Sequence, residues 1–464
     1  MSELQRSETD SFGPIDVPAD ALWGAQTARS LQYFAIGEQR MPLPIIHAMA
    51  AVKWAAACVN RDLGLLDPAA AHAIAHAALR VAAGEFDAEF PLSVWQTGSG
   101  TQSHMNVNEV VANLATRTLA ASDPAARRVH PNDDVNLGQS SNDVFPTAMH
   151  LAIVLRERDA LRPALHGLRA ALQAKAQAFK AIVKVGRTHL QDATPVTLGQ
   201  EFGGYDAQLA LCEVSLHHAL GAVHTLAIGG TAVGTGLNTH PEFGSRVAAM
   251  LARHFDLPLV QADNLFAAMA GHEALVAFHA ALKMLAIALT KIGNDIRLMG
   301  SGPRAGLGEL CLPQNEPGSS IMPGKVNPTQ VEALAMVCAQ VLGHDTAIGY
   351  AASQGQFELN VGKPLIALDT LASLHLLTDA MSSFTQHCIV GIEVDEARVA
   401  QLLEGSLMLV TALTPHIGYD LAAKVAKHAQ AEGTSLREAA LALGAVSAAQ
   451  FDAWVDPRQM LGPR

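Results

Sequence analysis

One helical seam constrains this chain more than any other feature. Leu275, Phe278, Leu282, Leu285, Leu289, Ile292 and Ile296 recur at alternating steps of three and four residues. That spacing places all of them on one helix face and, when sustained, seats the face against a partner helix. The seam lies within Asn264 to Met299, and four other segments carry helical periodicity over comparable lengths: Pro146 to Lys180, Thr197 to Ile228, Pro328 to Tyr350 and Pro364 to Val390. In the first of these, Leu161, Leu165, Leu168 and Leu172 keep the period, and Pro163 predicts a start or kink. Helices of this length span roughly 35–50 Å. Their other faces are rich in alanine rather than charge, and a helix apolar on more than one face needs more than one partner. The economical solution is a long bundle that associates with copies of itself, which we expect to be a homotetramer.

Around this bundle the chain changes character twice. Residues 1–138 are mixed, and Pro14, Pro18, Pro42, Pro44, Pro91, Pro124 and Pro131 predict short helices joined by loops. Residues 139–393 hold the long helices. Residues 394–464 return to short ones: Val394 to Leu403, Tyr419 to Glu432, Ser435 to Leu443 and Ala448 to Trp454, with Ser435 and Glu438 spaced as a capping box. The expectation is a mainly all-α protein of three domains with a central long-helix bundle. Half of the residues are apolar and only 5% are aromatic, a composition that favours helices.

A formal charge of −12 argues against a nucleic-acid partner, although a locally positive site for a small anion remains compatible with it. The polar start, MSELQRSETD, has no apolar segment behind it. The most apolar long stretch, Ala274 to Ile292, carries His279, Lys283 and Lys291, so no membrane span is expected. Cys58, Cys212, Cys311, Cys338 and Cys388 are odd in number and far apart, which suits reduced thiols in a cytoplasmic protein. Their spacing suits neither a metal knuckle nor an iron–sulfur run, and we expect no metal or other cofactor.

Chemistry is easiest to find where an alanine-rich chain abruptly becomes polar. Four islands do this: Gly98 to Glu109 (GSGTQSHMNVNE), His130 to Asp143 (including HPNDD and QSSND), Gly186 to Asp192 (GRTHLQD) and Gly318 to Pro328 (GSSIMPGKVNP). The last three precede predicted long helices, and the first precedes a helical run of its own. Helix starts present free N–H groups and partial positive charge, which suit carboxylates. Each island taken singly reads as ordinary caps and turns. Together their Ser, Thr, Asn, Gln and His donors, with the charge of Lys325, suit the oxygens of a small dicarboxylate.

These islands carry a resemblance. GSSIMPGKVNP at 318 closely resembles the defining loop of the fumarase/aspartase superfamily. GSGTQS at 98, HPNDDVN at 130, QSSND at 139, GRTHLQDATP at 186, GGTAVGTGLN at 229 and ELNV at 358 match in order. VPADALWGAQTARS near the start and FDAWVDPRQM near the end extend the likeness over essentially the whole chain. His189, Ser141 and Gly324 are similar to the class II fumarase branch, whereas aspartases carry Gln, Thr and Ala there. An aspartase-type ammonia lyase and an inactive helical scaffold are the competing readings. Three positions depart from the usual branch pattern: His104 for Asn, Gly138 for Ser, and Gly362 for a bulky residue.

The resemblance implies reversible hydration of fumarate to L-malate. Removing the proton beside a carboxylate needs a base, an acid for the leaving oxygen and fixed donors for the developing charge. By the same resemblance, Ser319 is the base on a mobile loop, and Lys325, Val326 and Asn327 hold the charged carboxylate. Ser99, Gly100, Thr101, Ser140, Ser141, Asn142, Thr188 and Ser320 bind substrate and water. His189 serves the oxygen end and Glu332 orients it, although Glu332 also suits an ordinary first-turn charge. Arg127, His130, Pro131, Asn132 and Asp133 resemble the superfamily's second dicarboxylate site. Three chains per active site are implied.

Overall fold

The computed structural model describes residues 4–463 and is mainly helical, with five small two-stranded sheets among the described residues. The chain divides into two compact units. One comprises residues 1–162, 214–286 and 339–377; the other comprises 163–213, 287–338 and 378–464.

The first unit opens with a hairpin, Gln5–Asp10 paired antiparallel with Gly13–Pro18. The helix Ala25–Tyr33 packs against it and against Thr101–Ser122, which with Leu43–Asp62, Pro68–Ala82 and Ser141–Arg156 forms a mutually packed helical group. This region differs from the short helices expected, since Leu43–Asp62 and Thr101–Ser122 run to 20 and 22 residues. The prolines do not interrupt them: Pro42, Pro44 and Pro68 stand at helix starts, where a missing N–H costs nothing. Leu43–Asp62 buries Ile45, Met49, Val52, Ala56 and Val59 at helical spacing. Each larger side chain of this face contributes about 1.5–3 kcal/mol by leaving water.

The expected long helices form, with adjusted ends. Pro146 to Lys180 becomes Ser141–Arg156 and Arg162–Ala178, joined by the π turn Glu157–Leu161. That widened turn lies immediately before Pro163, whose ring and missing N–H disrupt an α-helical turn. Asn264 to Met299 splits into Leu265–Ala270, capped by Asn264, and Glu273–Met299. The others are Leu198–Val223, Thr329–Ala352 and Lys363–His387.

All seven residues of the seam are fully buried. Glu273–Met299 is long and apolar enough to cross a membrane, but polar side chains midway along it have partners within the protein: His279 contacts Asp345 at 3.1 Å and Ser373 at 2.8 Å, and Lys283 contacts Asp345. Other faces remain bare. Leu211 and Val214 of Leu198–Val223, Ile287 of Glu273–Met299, and Met336 and Tyr350 of Thr329–Ala352 are exposed, Met336 and Tyr350 by about two thirds.

The second unit carries the hairpin Val183–Thr188 and Gln191–Thr197 and the C-terminal helices Glu396–Gly405, Tyr419–Glu432, Leu436–Ala442 and Ala448–Trp454. The last three surround a core of their own that includes Leu413, Val425, Leu436 and Phe451. Ser435 and Glu438 form the expected capping box.

Candidate active site

In the first unit, the first and second islands meet at two helix starts. Gly100 takes a left-handed conformation (φ 77°) to open Thr101–Ser122, and a Cβ there would lie 2.2 Å from the Phe145 ring. Only glycine serves both requirements. The turn aims a chain of hydroxyls across the gap: Ser99 Oγ lies 2.9 Å from Thr101 Oγ1, which lies 2.7 Å from Ser141 Oγ. Ser140 caps Ser141–Arg156, accepting from Asn142 N at 3.2 Å, while Ser140 N donates to Asp143 Oδ1 at 2.9 Å. Asn142 Nδ2 donates to Ala232 O at 2.8 Å. Ser99, Gly100, Thr101, Ser140, Ser141 and Asn142 are therefore assembled into one cluster of donors.

Buried charge lies behind it. Asp143 also accepts from Gly229 N at 2.9 Å and Thr231 N at 3.0 Å, which ties the GGTAVGTGLN loop to this helix start. Burial pushes its carboxyl up to about 6, against the pull of the three N–H donors and of Lys53. Lys53 Nζ contacts His104 Nε2 at 2.7 Å and donates to Asn136 Oδ1 and Gln139 Oε1, each at 2.9 Å. Burial holds Lys53 well below the ordinary lysine range, opposed by the Asp143 charge. His104 is held well below the ordinary histidine range by burial first and by Lys53 second. Sequence reasoning did not assign Lys53 or Asp143 a role. Lys53 had a signal, because it is the one Lys, Arg, Asp or Glu between Leu43 and Val59.

The second unit holds the other two islands. The third is not a helix start, as expected, but the tip of a hairpin that ends before Leu198–Val223 begins. Its short run, VKVGRT, folds as a strand with Lys184, Val185 and Gly186 buried, and the returning strand completes its backbone pairing. His189 and Leu190 both have positive φ (57° and 60°), the handedness a two-residue hairpin turn requires but one that side chains resist. Non-glycine strain of this kind concentrates at functional sites. The stem is anchored by Arg187, which donates to both carboxylate oxygens of the fully buried Glu309 at 2.9 and 3.0 Å. Lys184 Nζ donates to Glu201 at 3.0 Å. Thr188 and His189 are presented at an exposed, firmly held tip.

The 318–328 loop is closed on itself. Gly318 N donates to Lys325 O at 2.9 Å, Asn327 Nδ2 to Gly318 O at 2.6 Å, and Lys325 Nζ to Asn327 Oδ1 at 2.6 Å. Inside this closure Ser319 Oγ accepts from Ile321 N at 3.3 Å and Met322 N at 3.0 Å. Gly318, Ser319, Gly324, Lys325 and Val326 line a recess of about 360 Å³. Ser320 is exposed. Glu332 lies exposed in the first turn of Thr329–Ala352, and no hydrogen bond or ion pair joins it to His189 among the described residues.

The remaining candidates form a separate group in the first unit. Arg127 is bidentate to Asp134 at 2.7 and 2.9 Å, and His130 Nδ1 accepts from Asn132 N at 3.3 Å and Asp133 N at 3.1 Å. His130 and Pro131 line a polar cavity of about 340 Å³ together with Arg128 and Glu109.

Fold and chemistry together define a helical lyase. Residues 13–343 match the lyase family model, and residues 409–462 match the fumarase C C-terminus model. The chain belongs to the class II fumarate hydratase family. It is 63% identical over 461 residues to the class II fumarate hydratase of Chromobacterium violaceum, covering 99% of this chain and 100% of that one. It is 59% identical over 464 residues to that of Thermosynechococcus vestitus, covering 100% and 99%. Among solved structures it resembles the class II fumarase of Schistosoma mansoni, with a TM-score of 0.97, 45% identity, and coverage of 99% and 100%.

Proposed function

We propose that this enzyme interconverts fumarate and L-malate with Ser319 as the base, and the observation that carries the reading is the pair of backbone N–H groups directed at Ser319 Oγ. A free serine is far too weak a base for a carbon acid. Two fixed donors, with Lys325 in the same loop, stabilise the alkoxide in a partly enclosed recess. In the dehydration direction the alkoxide takes the proton from the carbon beside one carboxylate. The electron pair moves onto that carboxylate, where Lys325 and Asn327 hold the second negative charge. As the carbon–oxygen bond breaks, His189 delivers a proton to the departing hydroxide through a bound water, and Glu332 orients the imidazole. Ser99, Thr101, Ser140, Ser141, Asn142, Thr188 and Ser320 bind the carboxylates and that water.

The two groups of candidates belong to different compact units. The exposed apolar residues on the long helices support association into a homotetramer with sites shared between chains. The separate core around Val425 and Phe451 supports residues 394–464 as a domain beside 1–138 and 139–393. Arg127, His130, Pro131, Asn132 and Asp133 constitute a second dicarboxylate site, and the enzyme is cytoplasmic. The deciding experiment follows fumarate absorbance with fumarate or L-malate supplied, and ammonia release with aspartate supplied. Turnover of fumarate and malate alone is expected; ammonia release without malate turnover would overturn the reading in favour of an aspartase.

A further inference from the structure

Lys53 is a fully buried amine, the one Lys, Arg, Asp or Glu between Leu43 and Val59, and its three partners belong to the two segments that deliver the hydroxyl cluster. His104 stands one helical turn beyond Thr101 on Thr101–Ser122. Asn136 and Gln139 close the turn that leads into Ser140. Gln139 N donates to Asn136 O at 3.0 Å, and Asn136 Nδ2 donates to Gln139 O at 3.2 Å. Gln139 Nε2 reaches Val135 O and Leu137 O at 3.1 and 3.2 Å. Gly138 sits in the same turn with φ 72°, where a Cβ would lie 2.8 Å from Thr239 Oγ1. The departures at 104 and 138 thus fall in one network: the imidazole Nε2 can accept as an asparagine oxygen would, and the glycine admits Thr239.

We propose that Lys53 is a positioning residue for the dicarboxylate site, holding the Thr101 helix start and the turn before Ser140 in the register that lets Thr101 and Ser141 grip one carboxylate. The proposal rests on reading Thr101, Ser140, Ser141 and Asn142 as substrate-binding groups. Its Nζ is buried among three polar partners, His104, Asn136 and Gln139, so Lys53 acts through the elements it joins and not by touching substrate. Packing alone is a poor reason for it, because an apolar side chain of similar volume fills a core without the desolvation cost of a buried charge.

The test is steady-state kinetics in both directions on Lys53→Met, with Ser141→Ala as the reference for lost substrate binding. Lys53→Met should raise KM for both substrates by about tenfold while kcat stays within about threefold, the pattern of lost uniform binding. His104→Leu should raise KM less, and His104→Asn should restore it, since the amide can accept from Lys53. If Lys53→Met does not fold, the two His104 variants decide the question by the same criterion. A folded Lys53→Met with lowered Tm and unchanged KM overturns the proposal, as does unchanged KM in His104→Leu where Lys53→Met is unfolded. If Ser141→Ala then still raises KM, only the Lys53 assignment falls. If Ser141→Ala is also unchanged, the substrate-site reading falls with it.

Discussion

Ser319→Ala removes the oxygen on which two loop N–H groups converge, and His189→Asn removes the group placed at the leaving oxygen. Each substitution is expected to lower kcat by orders of magnitude without changing the circular dichroism, because neither side chain lies in the core. Near-normal turnover in a folded variant would remove that residue from the mechanism. Asp143 makes a prediction in pH. Its carboxyl rises from 3.8 to about 6 on folding, so the folded state binds the proton more tightly than the unfolded chain. The contribution is fully present below about pH 4 and lost as pH rises through about 6, by roughly 3 kcal/mol at 1.36 kcal/mol per unit. Denaturant titrations of the wild type and Asp143→Asn should show their stability difference changing by that amount, with the wild type losing ground as pH rises. A difference independent of pH would contradict the assignment. At this scale the polar islands are legible in sequence because they interrupt an alanine-rich chain. The charge state of Asp143 is not, because its donors at Gly229 and Thr231 lie far along the chain.

The elements carry their own constraints. Gly100 combines positive φ with a Cβ direction that points into the Phe145 ring. Gly100→Ala should therefore cost about 2–4 kcal/mol from backbone strain and overpacking combined, and should misplace Thr101. Chemical denaturation and KM measured together check this; a variant as stable as the wild type would show that the turn can relax. The third island shows where local reading fails at this scale. Its six-residue run before the tip is too short for periodicity to separate strand from helix approach, and pairing with 191–197 decides the matter. Caps read better, because Ser435 and Glu438 need only each other to form their box.

For the whole molecule, the exposed apolar faces of the long helices predict a solution mass of about four times 48.8 kDa by light scattering. A stable, fully active monomer would end that argument. If Ser319 and His189 reach one site from different chains, two inactive variants should rescue each other. Ser319→Ala and His189→Asn chains unfolded and refolded together should leave roughly a quarter of sites intact, by independent choice of two chains in a symmetric oligomer. Mass spectrometry should confirm hybrid tetramers; hybrids without recovered activity would place both residues on one chain.

What the sequence determined by itself is what depends on near neighbours in the chain. The seam from Leu275 to Ile296 is one case, because a helix brings residues three and four apart to the same side whatever surrounds it. The C-terminal capping box and the π turn beside Pro163 are others, since hydrogen bonding and ring sterics act within a turn or two. The tertiary structure decided everything that depends on partners remote in the chain. It placed Lys53 beneath His104, Asn136 and Gln139, bound Arg187 to Glu309 and anchored the 229–231 backbone on Asp143. A buried charge survives only where such partners meet it, and no local pattern records which distant residues folding will bring to it.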